Sequence, residues 1–69
     1  MQQLKLDTPY ITLGQLLKRL DLISSGGHAK FFLEDVAVKI NGQIEHRRGK
    51  KIYPQDVVDI EGYEPLQVV

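Results

Sequence analysis

Leu13, Leu16, Leu17 and Leu20 recur at the i, i+3, i+4 and i+7 spacing that lays one apolar stripe along a helix. This predicts a first helix over about residues 13–21, with Thr12 as its N-cap and Lys18 and Arg19 off the stripe. Ser24-Ser25 interrupts the pattern, and Ser25 can cap a second helix whose apolar set is Ala29, Phe32, Leu33 and Val36. On that helix Lys30 and His28 fall on opposite flanks of the stripe, while Phe31 and Glu34 point almost away from it. Two short helices so close in sequence are expected to pack as a pair.

From Val36 the period changes to two, with Val36, Val38 and Ile40 alternating with Ala37 and Lys39. Asn41-Gly42 follows, a dipeptide suited to a type I′ turn because both central residues there need positive φ. The pattern predicts a return strand through Gln43 to His46, then a loop from Arg47 to Lys51 with Gly49 at its turn. Pro54-Gln55-Asp56 turns the chain into a strand over Val57 to Ile60, and a last strand is expected at Leu66 to Val69. Near the start, Leu4 and Leu6 alternate with Lys5 and Asp7 in a short half-buried strand that Pro9 limits. Two helices followed by a small, mostly antiparallel sheet make an α+β fold, expected as one domain over residues 1–69.

Length narrows the function. A chain of 69 residues buries only ~60% of its unfolded surface and leaves little room for both a core and a deep cavity. A binding surface is therefore expected, with no small-molecule substrate and no cofactor. The chain has no cysteine for a disulfide or a thiolate zinc site. His28 and His46 lack the spacing of a metal motif, and no oxyanion loop accompanies Ser24, Ser25 or Asp35, so neither a metal site nor catalysis is expected. No apolar run approaches the ~20 residues of a membrane span, and Met1 to Lys5 lacks a signal-peptide core. A soluble, cytoplasmic monomer is the expectation.

Net charge is zero, but its distribution is uneven: residues 1–23 carry +1, residues 24–51 carry +3 and residues 52–69 carry −4. A polyanion responds to the local field, since more distant charges are screened beyond ~8 Å. The basic run His46-Arg47-Arg48-Gly49-Lys50-Lys51 is the densest part. Arginine offers a planar fork for phosphate and lysine a mobile point charge. As a plain alternative, the run is a solvated loop pairing with the acidic tail, and Lys30 pairs with Glu34 one turn on.

In order and spacing the chain resembles the S-four-type RNA-binding domain over about Thr12 to Glu61. The matching pieces are Leu17-Lys18-Arg19-Leu20, Ser25 with Ala29-Lys30, Val38-Lys39-Ile40-Asn41-Gly42, the basic run, and Asp56-Val57-Val58. Gly26-Gly27-His28-Ala29-Lys30 together with the Asn-Gly turn and the basic run is most similar to the short stand-alone bacterial members of the YaaA type. The resemblance implies a helix pair on a curved sheet (the αL-motif fold) and binding of structured RNA without catalysis. Ribosomal RNA, within a ribosomal particle, is the first target it implies, and tRNA the second. The family pattern has arginine directly after the serine, where this chain has Gly26, and glycines where it has Val36 and Gln55.

The candidate RNA-binding residues are Lys30, Arg47, Arg48, Lys50 and Lys51, with Lys39, Lys18, Arg19, His28 and His46 in support. The other reading is a protein-interaction adaptor that docks by its acidic C-terminal segment or by Phe31. Phe31 itself is expected to pack on the first helix rather than stack on a base. Tyr10, Tyr53 and Tyr63 are scattered and carry no assigned role.

Overall fold

In a computed structural model that describes residues 1–69, the chain runs β1 (Gln2–Leu4), β2 (Ile11–Thr12), α1 (Leu13–Arg19), α2 (Gly26–Asp35), β3 (Val38–Ile40), β4 (Gln43–Ile44), β5 (Lys51–Ile52), β6 (Val57–Ile60) and β7 (Leu66–Val68). Five strands form one sheet in the order β1-β7-β6-β3-β4, and β2 pairs with β5 in a separate ribbon. Every pairing is antiparallel except β1 with β7. The fold is α+β, as the alternation of patterns implies. No helix is long and apolar enough to cross a membrane.

Both helices begin where their caps predict. Thr12 accepts from the Gln15 N–H at 3.3 Å while the Gln15 side chain accepts from the Thr12 N–H at 3.0 Å, a reciprocal capping box. Ser25 accepts from the His28 N–H at 3.4 Å. Helix α1 stops at Arg19, two residues earlier than its stripe suggests. Asp21 adopts φ 60°, and the N–H groups of Asp21 and Leu22 turn back to the carbonyls of Lys18 and Leu17. That is a Schellman stop with aspartate in the position glycine usually takes.

The stripes meet in one core. Leu13, Leu16 and Leu17 of α1 and Ala29 and Leu33 of α2 are buried against Val38, Ile40, Val58, Ile60, Leu66 and Val68 of the sheet. Phe31 does not join them. It is 63% exposed, so packing against the first helix is not realised, and Phe32 is the aromatic that leans on the core. The reason is angular: Ala29 and Leu33 fix the inward face, and Phe31 lies off it.

The Asn-Gly turn forms with φ 51° at Asn41 and 86° at Gly42, as a type I′ turn requires. Its return strand covers only Gln43 and Ile44 rather than reaching His46. The Glu45 carboxylate takes the N–H groups of His46 and Arg47 and so diverts them from a ladder. The following loop ends at Lys50, because Lys51 and Ile52 pair with Ile11 and Thr12. Gly49 lies outside the positive-φ region, and a Cβ there would meet nothing. The turn therefore does not depend on glycine. At Pro54-Gln55 the reverse holds: Gln55 has φ 83° and the Asp56 N–H bonds the Tyr53 carbonyl at 3.0 Å. Proline followed by positive φ is type II turn geometry, which favours the glycine that the family pattern carries there.

Candidate nucleic-acid interface

The basic loop is seated on the start of α1. The Leu13 N–H donates to the Lys50 carbonyl and the Gly14 N–H to the Arg48 carbonyl, both at 2.8 Å. First-turn amides have no partner inside a helix, so the loop satisfies two of them. A Cβ on Gly14 would lie 3.4 Å from the Arg48 carbonyl oxygen and 3.5 Å from its Cβ. Glycine at position 14 thus lets loop and helix approach closely.

This seating divides the basic run between two sides. Arg48 turns towards the helices, where its Nη1 donates to the Gly26 carbonyl at 2.7 Å. It borders two shallow depressions, one shared with Gln15, Lys18 and Gly26 and the other with Gly27, Lys30 and His46. Lys18, Lys30, His46 and Arg48 are thereby gathered around the start of α2. A Cβ at Gly26 would sit 3.7 Å from the Arg48 Nη1. The guanidinium expected on the helix at position 26 is absent, and one from the loop lies beside that position instead.

Arg47, Lys50 and Lys51 border a different depression, shared with Ile44, Glu45, Tyr53 and Asp56. Arg47 is already paired. Its Nε and Nη2 donate to the two Glu45 carboxylate oxygens at 3.0 and 3.2 Å. These side-chain bonds from Arg47, supported by the backbone N–H groups of Arg47 and His46, pull the Glu45 pKa down from 4.5 to about 2 against the opposing effect of burial. No sequence pattern tied Arg47 to Glu45, although residues two apart on an irregular strand end can meet in this way.

Asp56 organises the same side. Its carboxylate accepts from the Tyr53 N–H at 2.9 Å and from the Asn41 Nδ2 at 3.0 Å. The Asn41 Oδ1 in turn accepts from the Val57 N–H at 2.9 Å. The hairpin turn, the Pro54 turn and the start of β6 are thus held by one polar relay.

The remaining candidates lie apart from these clusters. Lys39 pairs across the strands with Asp59 and shares a depression with Asp59 and Glu61, so its surroundings are acidic. Arg19 is exposed at the end of α1, where a cation complements the helix dipole. The His28 Nδ1 accepts from the Ser24 N–H at 3.4 Å at the entry to α2. Lys30 makes no ion pair with Glu34, and no cation of the loop pairs with the acidic tail; the ion pairs are Arg47 with Glu45 and the N-terminal amine with Glu64. No group of three histidine, cysteine, aspartate or glutamate side chains converges as a metal site would require.

Comparison with known proteins agrees with the architecture. The family model described as the S4 domain matches residues 4–69. The chain is also 52% identical, over 66 residues, to the probable ribosome maturation protein RlbA of Bacillus subtilis (strain 168). That alignment spans 96% of this chain and 93% of the relative.

Proposed function

This chain belongs to the S4 domain family, and from that premise we propose that it is a non-catalytic RNA-binding module acting in ribosome maturation. The observation that carries the reading is the cluster around Arg48. Arg48 is anchored by a backbone carbonyl rather than a carboxylate, so its position is fixed while its charge stays uncancelled. Lys18 and Lys30 border the same pair of depressions and have no acidic partner. A fixed guanidinium flanked by two mobile ammonium groups suits consecutive phosphates of a folded RNA, which is read mainly by shape and backbone contacts. Structured ribosomal RNA is the target we assign first, and tRNA second.

Within this reading the interface centres on Lys18, Lys30, His46 and Arg48, with Lys50 and Lys51 extending it. Arg47 contributes less because Glu45 offsets it. Lys39, Arg19 and His28 contribute least.

The test is RNA affinity measured against salt concentration for the wild type and a Lys18→Ala, Lys30→Ala, Arg48→Ala triple variant. Each phosphate contact contributes ~0.7–0.9 to the slope of log affinity on log salt, so the variant should lose roughly two to three units. Identical slopes would sink the assignment. Phe31, 63% exposed, supports a second reading as a protein adaptor. Partners that survive nuclease treatment and are lost on Phe31→Ala would favour it.

A further inference from the structure

The β2–β5 ribbon places two tyrosines together that lie 43 positions apart in the sequence. Ile11 is paired with Ile52, and both point into the core at 7% and 0% exposure. Strand side chains alternate, so Tyr10, Lys51 and Tyr53 emerge on the outer face. There the Tyr10 and Tyr53 rings lie 5.8 Å apart with their planes tilted by 51°. The Lys51 Nζ sits 4.9 Å from the centre of the Tyr10 ring. Both rings are substantially exposed, at 38% and 48%, and neither hydroxyl makes a hydrogen bond within the chain.

We propose that Tyr10, Tyr53 and Lys51 form a platform on which one unpaired RNA base stacks, next to the phosphate-binding cluster around Arg48. The inference rests on the RNA-binding reading above and names the part of the RNA that this second surface takes. The tilt leaves the two ring faces unstacked on each other, and Lys51 already lies over Tyr10, so Tyr53 offers the free face. Tyr53 borders the depression that Lys50 and Lys51 also line, which supplies cations for the phosphates of the stacked nucleotide. Of the two carboxylates there, Glu45 is offset by its pairing with Arg47. Asp56 is held by the neutral Tyr53 N–H and Asn41 amide and keeps its charge, so Lys50 and Lys51 together outweigh the one uncancelled carboxylate that an incoming strand meets.

Arg48 and Lys50 are two residues apart, hence within ~7 Å along the backbone. One RNA can therefore engage both sides of the loop. Its duplex would lie against the helix side and its first unpaired base on Tyr53. Aromatic stacking is indifferent to base identity, so the platform selects for an unpaired nucleotide rather than for a sequence.

The experiment compares a blunt RNA hairpin with the same hairpin carrying a three-nucleotide single-stranded extension that contains 2-aminopurine. Wild-type protein should bind the extended RNA more tightly and change its 2-aminopurine emission. Tyr53→Ala should weaken binding to the extended RNA about five- to tenfold, leave the blunt RNA unchanged and abolish the emission change. Tyr53→Phe should retain both effects, and Tyr63→Ala, altered in a separate apolar depression, should match the wild type. Equal affinity of the wild type for the two RNAs, or an equal loss on both in Tyr53→Ala, overturns the platform and leaves the RNA-binding reading intact. Failure of the wild type to bind either RNA at low salt overturns that reading and the platform with it.

Discussion

Arg47 and Arg48 are neighbours in sequence, identical in chemistry and opposite in circumstance. Arg48 reaches across 22 positions to a backbone carbonyl of Gly26, which orients the guanidinium and leaves its full charge available. Arg47 closes a two-point contact on Glu45, which orients it equally well and offsets its charge. The difference separates two functions that a count of cations merges. A carbonyl makes a positive side chain rigid, whereas a carboxylate makes it rigid and nearly neutral to a distant polyanion. The helix side of the loop is accordingly the electrostatic side. The strand side, with its tyrosines and its Asp56 relay, is built more for shape.

The strongest way to break this division is to collapse the strand side alone. Asp56→Ala removes an acceptor from the Tyr53 N–H and the Asn41 side chain together. Bonds to a charged acceptor contribute about 1.5–3 kcal/mol each when protected, and this site is only half-buried, so a loss of about 2 kcal/mol in urea unfolding is expected. Amide exchange should quicken at Tyr53 and Val57 before it does at Leu13 and Gly14. Uniform quickening at all four would mean that the two sides are one cooperative unit.

A smaller effect, but the most direct, comes from the arginines themselves. Arg48→Ala should weaken RNA binding roughly tenfold at low salt and lower the salt slope by ~0.7–0.9. Arg47→Ala should change affinity by less than about twofold, because the charge it removes is already offset by Glu45. Equal effects from the two substitutions would show that pairing with Glu45 does not matter to the RNA.

How much of this was legible in the sequence depends on how local the cause is. The capping residues Thr12 and Ser25, the two apolar stripes and the Asn-Gly turn act within a few residues, and each stands where the pattern placed it. Strands β2 and β5 are two residues each and exist because Ile11 pairs with Ile52 and Thr12 with Lys51, 41 and 39 positions away, so no periodicity could reveal them. The division of the basic run follows from them, since that ribbon and the carbonyls of Arg48 and Lys50 fix how the loop meets α1. The tyrosines looked scattered for the same reason. Gln55 is different: the resemblance flagged the missing glycine, and the positive φ is its physical meaning.

The finest test makes Arg47 resemble Arg48 by removing the offset. Glu45 has a folded-state pKa of about 2 against an ordinary 4.5. A carboxyl whose pKa is depressed by folding contributes stability that is fully present above its unfolded value and disappears as pH falls through its folded value. The contribution should therefore be intact above about pH 4.5 and be lost progressively towards pH 2. Glu45→Gln should remove that acid-side dependence from urea midpoints measured between pH 2 and 5 while leaving neutral-pH stability only slightly lower, since Arg47 is exposed. The same substitution frees a guanidinium on the strand side. RNA affinity should rise by a few-fold at most, with the salt slope steeper by up to ~0.7–0.9, and Arg47→Ala in the Glu45→Gln background should cancel the gain. A gain that persists without Arg47 would trace the effect to the lost carboxylate repelling RNA directly, and the contrast between the two arginines would then be one of position rather than of pairing.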